Sequence, residues 1–159
     1  MTESKLNKTL FALLILLSGV LKMYPQSKAE AIAKNGCLAM AYLYCIGIED
    51  DIELLTSVAK AMEKGLLGSD CFVNDAEKYL TWISGKRYSV TKKSIEEIVK
   101  DGGLKTLKEP TPVRYDYNGL YHWVVMQEGK IIFNSLSNSV CVKYGQVSTA
   151  RIISLKQDK

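Results

Sequence analysis

The feature that most constrains this chain is an apolar run that begins directly after Asn35-Gly36. Residues 37–46 carry no charge, and Leu, Ala and Met, which are good helix formers, dominate them. Periodicity cannot separate a buried strand from a helix buried on all sides, but length, composition and the following Gly47 favour the helix. Cys37 opens this run. The sequence therefore predicts a thiol in the first turn of a buried helix, where free N–H groups and the helix dipole favour a thiolate.

The remaining pattern predicts helices before strands. Helical spacing or capping residues indicate helices over residues 28–34, 49–64, 71–83 and 94–100. We interpret the acidic cluster at residues 49–53 as capping charges and not as a metal site.

Strands are predicted over residues 87–91, 113–126, 130–133, 140–143 and 149–155, with Asn118-Gly119 as the turn of a hairpin. These elements predict a single α+β domain over residues 1–159. Its N-terminal helices, including the buried helix that starts at Cys37, would pack on a C-terminal antiparallel sheet.

Charge and cysteine usage narrow the function classes. The 21 basic and 17 acidic residues are interspersed and give a net charge of +4, so we expect no nucleic-acid partner. The four cysteines form no C-x-x-C pair, and His122 is the single histidine. We therefore predict no metal and no cofactor, and a reducing compartment.

The first 24 residues allow three interpretations. Lys5 and Lys8 precede the apolar run of residues 10–17, which fits a core helix, a signal peptide or a membrane anchor. We favour the core helix, because the run falls short of the roughly 20 residues that span a bilayer. Stable membrane insertion is not expected. The predicted location is cytoplasmic or phage-associated, and secreted or periplasmic if residues 1–22 are a signal peptide.

Three residues could together form a catalytic site. A cysteine nucleophile needs an imidazole base, and the imidazole needs an acceptor that holds its orientation. His122 lies in a predicted strand, and Asn134 ends the next strand after a short turn at Gly129. Cross-strand pairing would bring His122 and Asn134 together, so we predict Cys37 as nucleophile, His122 as base and Asn134 as orienting residue.

This order of helical Cys, strand His and strand-end Asn resembles the papain-like cysteine peptidases. The segments Gly36-Cys37-Leu38-Ala39-Met40, His122-Trp123-Val124-Val125 and Asn134-Ser135 are most similar to the compact branch that contains bacteriocin-leader-processing (double-glycine) peptidases and their uncharacterised phage and bacterial relatives.

The resemblance implies a papain-like fold, a peptide or protein substrate, and a role for Gln26 as donor to the oxyanion. The chain departs from that branch at Asn134-Ser135, where Asp-Pro is usual, and at Leu38, where Gly is usual.

Other interpretations remain open. Cys37 could be a core residue, because free cysteines are often buried. We expect Cys45 and Cys71 to be core residues and Cys141 to lie in a strand. His122 could be an ordinary strand residue. The chain could then be a catalytically inactive papain-like module with a structural or peptide-binding role in a phage or host interaction. A third function is a peptidoglycan amidase or endopeptidase, which shares the Cys-His order. A cleaved export signal in residues 1–22 would favour this function.

Overall fold

A computed structural model describes the backbone of residues 26–157 and the side chains of residues 28–157. This part of the chain contains six α-helices and an antiparallel sheet of five strands, so the predicted α+β class is confirmed. The helices are α1 (Gln26–Asn35), α2 (Cys37–Cys45), α3 (Asp51–Glu63), α4 (Ala76–Ser84), α5 (Ile95–Lys100) and α6 (Val140–Tyr144). The strands are β1 (Tyr88–Ser94), β2 (Thr111–Tyr117), β3 (Leu120–Gln127), β4 (Lys130–Phe133) and β5 (Gln146–Leu155).

The segment before α1 lies outside the described residues. The core helix predicted there, and its alternatives as signal peptide or anchor, therefore stay predictions. Within residues 26–157, no helix is both long enough and apolar enough to cross a bilayer.

Helix α2 is the buried centre of the helical half, as its composition predicts. Ala39, Ala41, Tyr42 and Leu43 are at most 1% exposed, and α2 packs against α1, α3 and the strands β2 and β3. A helix enclosed on so many sides has no solvent face that would require polar residues. The run can therefore be apolar on all sides because neighbouring helices and strands surround this helix.

Gly36 joins α1 to α2. Its N–H donates to the carbonyl oxygen of Ile32 at 2.8 Å, and its own carbonyl accepts from the N–H of Met40 at 2.9 Å. A Cβ atom at this position would lie 2.5 Å from the Ile32 oxygen, far inside contact distance. Glycine therefore lets α1 run almost directly into α2, and this places Cys37 in the first turn of α2.

Side-chain caps set the starts of three other helices. The carboxylate of Asp50 accepts from the backbone N–H of Glu53 at the start of α3, and Ser94 and Glu97 form the predicted capping box of α5. The predicted helix over residues 71–83 begins later, at Ala76. The Asp75 carboxylate accepts from the Lys78 N–H there, so the prediction placed this start five residues too early.

The strand order is β1-β5-β2-β3-β4, and all pairs are antiparallel. β2 and β3 form the predicted hairpin. Tyr117 pairs with Leu120, and Asn118 and Gly119 have φ angles of 48° and 76°. Both angles suit a two-residue turn with positive φ. β4 pairs only with residues 125–127 of β3, so within the described chain residues 120–124 have no strand partner on that side.

Each face of the sheet covers a separate core. One cluster contains residues of α2, α3 and α4 with Phe133 of β4, and the other contains Ile98 of α5 with Val113 and Val124 of the sheet. Neighbouring side chains of β3 alternate between these faces. His122 and Val124 therefore lie on the same face of the sheet. Helix α6 packs against this face through Val142.

Residues 140–143 were predicted as a strand, and this prediction was wrong. They form α6, in which the N–H of Lys143 donates to the carbonyl of Ser139. The alternation of Val140, Cys141 and Val142 is typical of strands. The short helix instead buries Cys141 and packs Val142 against the sheet, so tertiary packing outweighs the local preference.

Candidate functional site

A cavity of about 540 Å³ contains both Cys37 and His122 in its lining. Cys37 enters from the start of α2, and His122 enters from β3 near the hairpin turn. The remaining walls come from the end of α1, from Met40 of α2, from Leu55 of α3, from residues 119–121 and from residues between 135 and 141. Cys37 and His122 lie more than 80 positions apart in the sequence, and the fold brings both to the same cavity. Their action as a catalytic pair stays a prediction.

His122 is hydrogen-bonded to Asn134. The ring nitrogen Nε2 lies 2.8 Å from Oδ1 of Asn134, which follows the last residue of β4. The β3–β4 hairpin brings these two residues together, so the predicted contact between them is present. His122 itself is buried, with 5% of its surface exposed.

The backbone N–H of Leu136 identifies the tautomer of the His122 ring. Oδ1 of Asn134 also accepts the backbone N–H of Leu136 at 3.0 Å. A backbone N–H can only donate, so the shared atom is the carboxamide oxygen, which can only accept. The His122 bond must therefore use a proton on Nε2. In neutral imidazole this leaves Nδ1 without a proton and able to act as a base.

The surroundings of the Cys37 thiol differ from the prediction. Burial raises the pKa of Cys37, although the backbone N–H groups of Trp123, Leu38 and Cys37 itself lower it in part. The helix position favours a thiolate, as expected, but the loss of hydration opposes it more strongly. The unliganded protein therefore holds Cys37 as a thiol at neutral pH, and this corrects the expectation of a resting thiolate.

Burial lowers the pKa of His122, because it disfavours the imidazolium, while the hydrogen bond to Asn134 raises it in part. His122 is thus neutral at pH 7. Among the described residues, no hydrogen bond joins the thiol to the ring. The resting pair is a protonated thiol and an imidazole whose Nδ1 can accept a proton.

Gln26 is the first residue of α1, and Cys37 lies two residues after Asn35, the last residue of that helix. A ten-residue helix is about 15 Å long, so the backbones of Gln26 and Cys37 are far apart. The Gln26 side chain lies outside the described residues, and its role at the oxyanion stays a prediction. The N–H groups of Cys37 and Leu38, at the start of α2, are donors that the structure places beside the sulfur.

The other three cysteines differ from one another in burial and in location. Cys71 is fully buried, and burial raises its pKa to about 12, which fits the predicted core role. Cys45 is partly buried, and burial raises its pKa strongly. Cys141 lies in α6 and not in the predicted strand, and it lines the same cavity as Cys37. Within residues 26–157, no three His, Cys, Asp or Glu side chains are grouped to hold a metal ion.

Comparison with known proteins gives one family. A family model described as "Protein of unknown function, DUF261" matches residues 21–155. The chain belongs to the DUF261 family. Curated proteins and solved structures gave no match. The match covers every element of the DUF261 fold described above, including Cys37, His122 and Asn134.

The cavity walls of this DUF261 protein include residues that the sequence did not single out. They are Leu120, Tyr121, Leu136 and Val140. Leu120 directly follows the Asn118-Gly119 turn, and its side chain is 58% exposed. The others lie on segments that meet only in the folded chain, and no periodicity in the sequence relates them.

Proposed function

We propose that this protein is a cysteine hydrolase that cleaves a peptide or amide bond with Cys37, His122 and Asn134. The observation that carries the proposal is the 2.8 Å contact of His122 Nε2 with Asn134 Oδ1, on a ring that lines the same cavity as Cys37. A buried histidine that is held in one tautomer and lines the same cavity as a cysteine provides a base and a nucleophile of the kind that thiol catalysis uses.

The reaction begins from the neutral pair. As the Cys37 sulfur attacks the substrate carbonyl carbon, its proton passes to Nδ1 of His122. The carbonyl oxygen takes up negative charge near the N–H groups of Cys37 and Leu38 at the positive end of α2. The imidazolium then gives its proton to the leaving nitrogen, the C–N bond breaks, and a thioester remains on Cys37.

Water completes the cycle. Nδ1 of His122 removes a proton from the water as it attacks the thioester, and the sulfur leaves and regains a proton, releasing a carboxylic acid. Asn134 keeps the ring oriented through both halves, and its oxygen stabilises the imidazolium. Positioned acid–base groups of this kind contribute about 10²- to 10⁴-fold to a rate.

Alkylation of Cys37 by iodoacetamide tests the proposal. The protein is treated between pH 5 and pH 9, and modified cysteines are located by peptide mass mapping. We expect Cys37 of the wild type to react at least tenfold faster than Cys37 of a folded His122→Ala variant at pH 7. Equal rates in the two proteins would rule out base assistance by His122.

Cys141 provides the matched control, because it is a second thiol that lines the same cavity. Cys141→Ala should leave the labelling of Cys37 intact, whereas Cys37→Ser should remove it. Incubation with a peptide mixture, followed by mass spectrometry, then tests hydrolysis directly. New termini should appear with the wild type and be absent with Cys37→Ser.

A second candidate is the inactive papain-like module that binds peptides. The burial that raises the pKa of Cys37 and lowers that of His122 favours it, because both shifts oppose an ion pair. Labelling of Cys37 that is slow and independent of His122, together with saturable peptide binding, would support this candidate. Peptidoglycan amide hydrolysis shares the chemistry of the first proposal and differs in substrate.

A further inference from the structure

The cavity beside Cys37 has walls of a consistent chemical character. Its volume of about 540 Å³ lies within the range of roughly 300–1,000 Å³ that small-ligand sites occupy. Apolar side chains from α1, α2, α3, the start of β3, the segment after Asn134 and α6 face it. They are Ile32, Ala33, Met40, Leu55, Leu120, Leu136 and Val140. The cavity volume is much larger than the space that a reaction between the thiol and the imidazole needs, so it leaves room for part of a substrate.

Three of these side chains are large, apolar and open to solvent. Leu120 is 58% exposed, Leu136 is 52% exposed and Val140 is 43% exposed. They come from the hairpin turn, the segment after Asn134 and the start of α6. Such a group of exposed apolar residues around a concave site is typical of a surface that a ligand covers.

The described lining of the cavity contains a basic side chain and no acidic side chain. Among the described lining residues, Lys34 is the only one with a charged side chain, and none is a carboxylate. Lys34 lies in the last turn of α1, close in sequence to Cys37. A basic side chain in this cavity would meet a cation and would find no anion to pair with, whereas an apolar side chain would meet matching walls.

We propose that this cavity binds a large apolar side chain of a peptide substrate, next to the carbonyl that Cys37 attacks, and that Lys34 excludes basic side chains. The inference rests on the proposed hydrolase function and adds the substrate class. Leu120 and Leu136 are the residues that set the apolar preference.

Peptidyl chloromethyl ketones provide the test, because they need no known substrate. In each, the Cys37 sulfur displaces chloride and forms a thioether, and the thiol proton is released to solvent. Probes with the same acetyl-Ala spacer and with Leu or Lys next to the ketone are compared by intact mass. Each rate is divided by the iodoacetamide rate of the same protein, so that differences in the nucleophile cancel.

We expect the wild type to react at least tenfold faster with the Leu probe than with the Lys probe. Leu120→Asp and Leu136→Asp should each reduce that ratio severalfold. Lys34→Glu should raise the normalised rate of the Lys probe. Leu155→Asp is the matched control, since Leu155 is 57% exposed at the end of β5 and does not line the cavity. It should leave the ratio unchanged.

The two proposals fail differently. If iodoacetamide labels Cys37 in a His122-dependent way but the Leu and Lys probes react equally, the substrate class is wrong and the hydrolase proposal stands. If labelling is independent of His122, the hydrolase proposal falls and the substrate class falls with it. A Leu preference that Leu120→Asp and Leu136→Asp leave unchanged would also overturn the assignment of the cavity.

Discussion

Asn134 holds His122 through one oxygen atom that accepts both Nε2–H of the ring, at 2.8 Å, and the backbone N–H of Leu136, at 3.0 Å. The second contact connects the orientation of the imidazole to the loop that also supplies Leu136 to the cavity. Because the oxygen is identified by the backbone donor, the ring tautomer follows from the hydrogen bonds alone. The basic nitrogen of His122 is therefore Nδ1.

Asn134→Ala should lower the pKa of His122 further, because it removes the hydrogen bond that stabilises the imidazolium against burial. His122 is the only histidine, so its ring protons can be followed by NMR without assignment of others. The labelling rate of Cys37 at pH 7 should fall about tenfold or more. Asn138→Ala, in the same loop and cavity, should leave the His122 titration unchanged. Equal titration curves for wild type and Asn134→Ala would contradict the orienting role.

The stability of the fold should decrease as the pH falls from 7 to 5, in part through His122. Its pKa is lowered in the folded state, so the unfolded chain binds the proton more readily below its ordinary pKa of about 6.5. Each pH unit below that value costs up to about 1.4 kcal/mol, until the folded pKa is reached. The measurement is urea unfolding at several pH values.

His122→Gln supplies the comparison for this pH dependence, because it keeps a polar side chain and removes the titration. Its stability should vary less between pH 7 and pH 5 than that of the wild type. An identical pH dependence in the two proteins would show that His122 is not buried as a neutral group.

Gly36→Ala should destabilise the protein by roughly 1–3 kcal/mol, because the new methyl group would meet the Ile32 carbonyl oxygen at 2.5 Å and the α1–α2 junction would have to shift. The same shift would move Cys37, so its labelling should also slow. Ala33→Ser, on the exposed side of α1, should change stability by less than about 0.5 kcal/mol. Denaturant midpoints measure both variants, and a neutral Gly36→Ala would exclude the close approach.

Asp75→Ala should destabilise α4 by about 1 kcal/mol, since the Lys78 N–H loses the carboxylate that caps the helix. Asp75→Asn keeps an equivalent acceptor and should stay close to the wild type. Thermal unfolding followed by circular dichroism compares them. Similar losses in both variants would indicate that Asp75 acts through its charge and not through the cap.

Local chemistry is what the sequence by itself determined. The α2 helix, the capping box at Ser94 and Glu97, and the Asn118-Gly119 hairpin all follow from the preferences of neighbouring residues. The contact between His122 and Asn134 was also predictable, because a short hairpin brings residues on its two strands together. These interactions need few contacts from distant parts of the chain.

Only the tertiary structure decided the rest. Residues 140–143 became a helix because the sheet offers a surface that buries Cys141, which no local pattern reveals. The pKa of Cys37 is raised because packing removes water from the thiol, and this outweighs the helix position visible in the sequence. The cavity walls unite α1, the β2–β3 turn and the segment after Asn134. Burial and long-range packing depend on the whole fold, so the substrate side of the site could be described only in three dimensions.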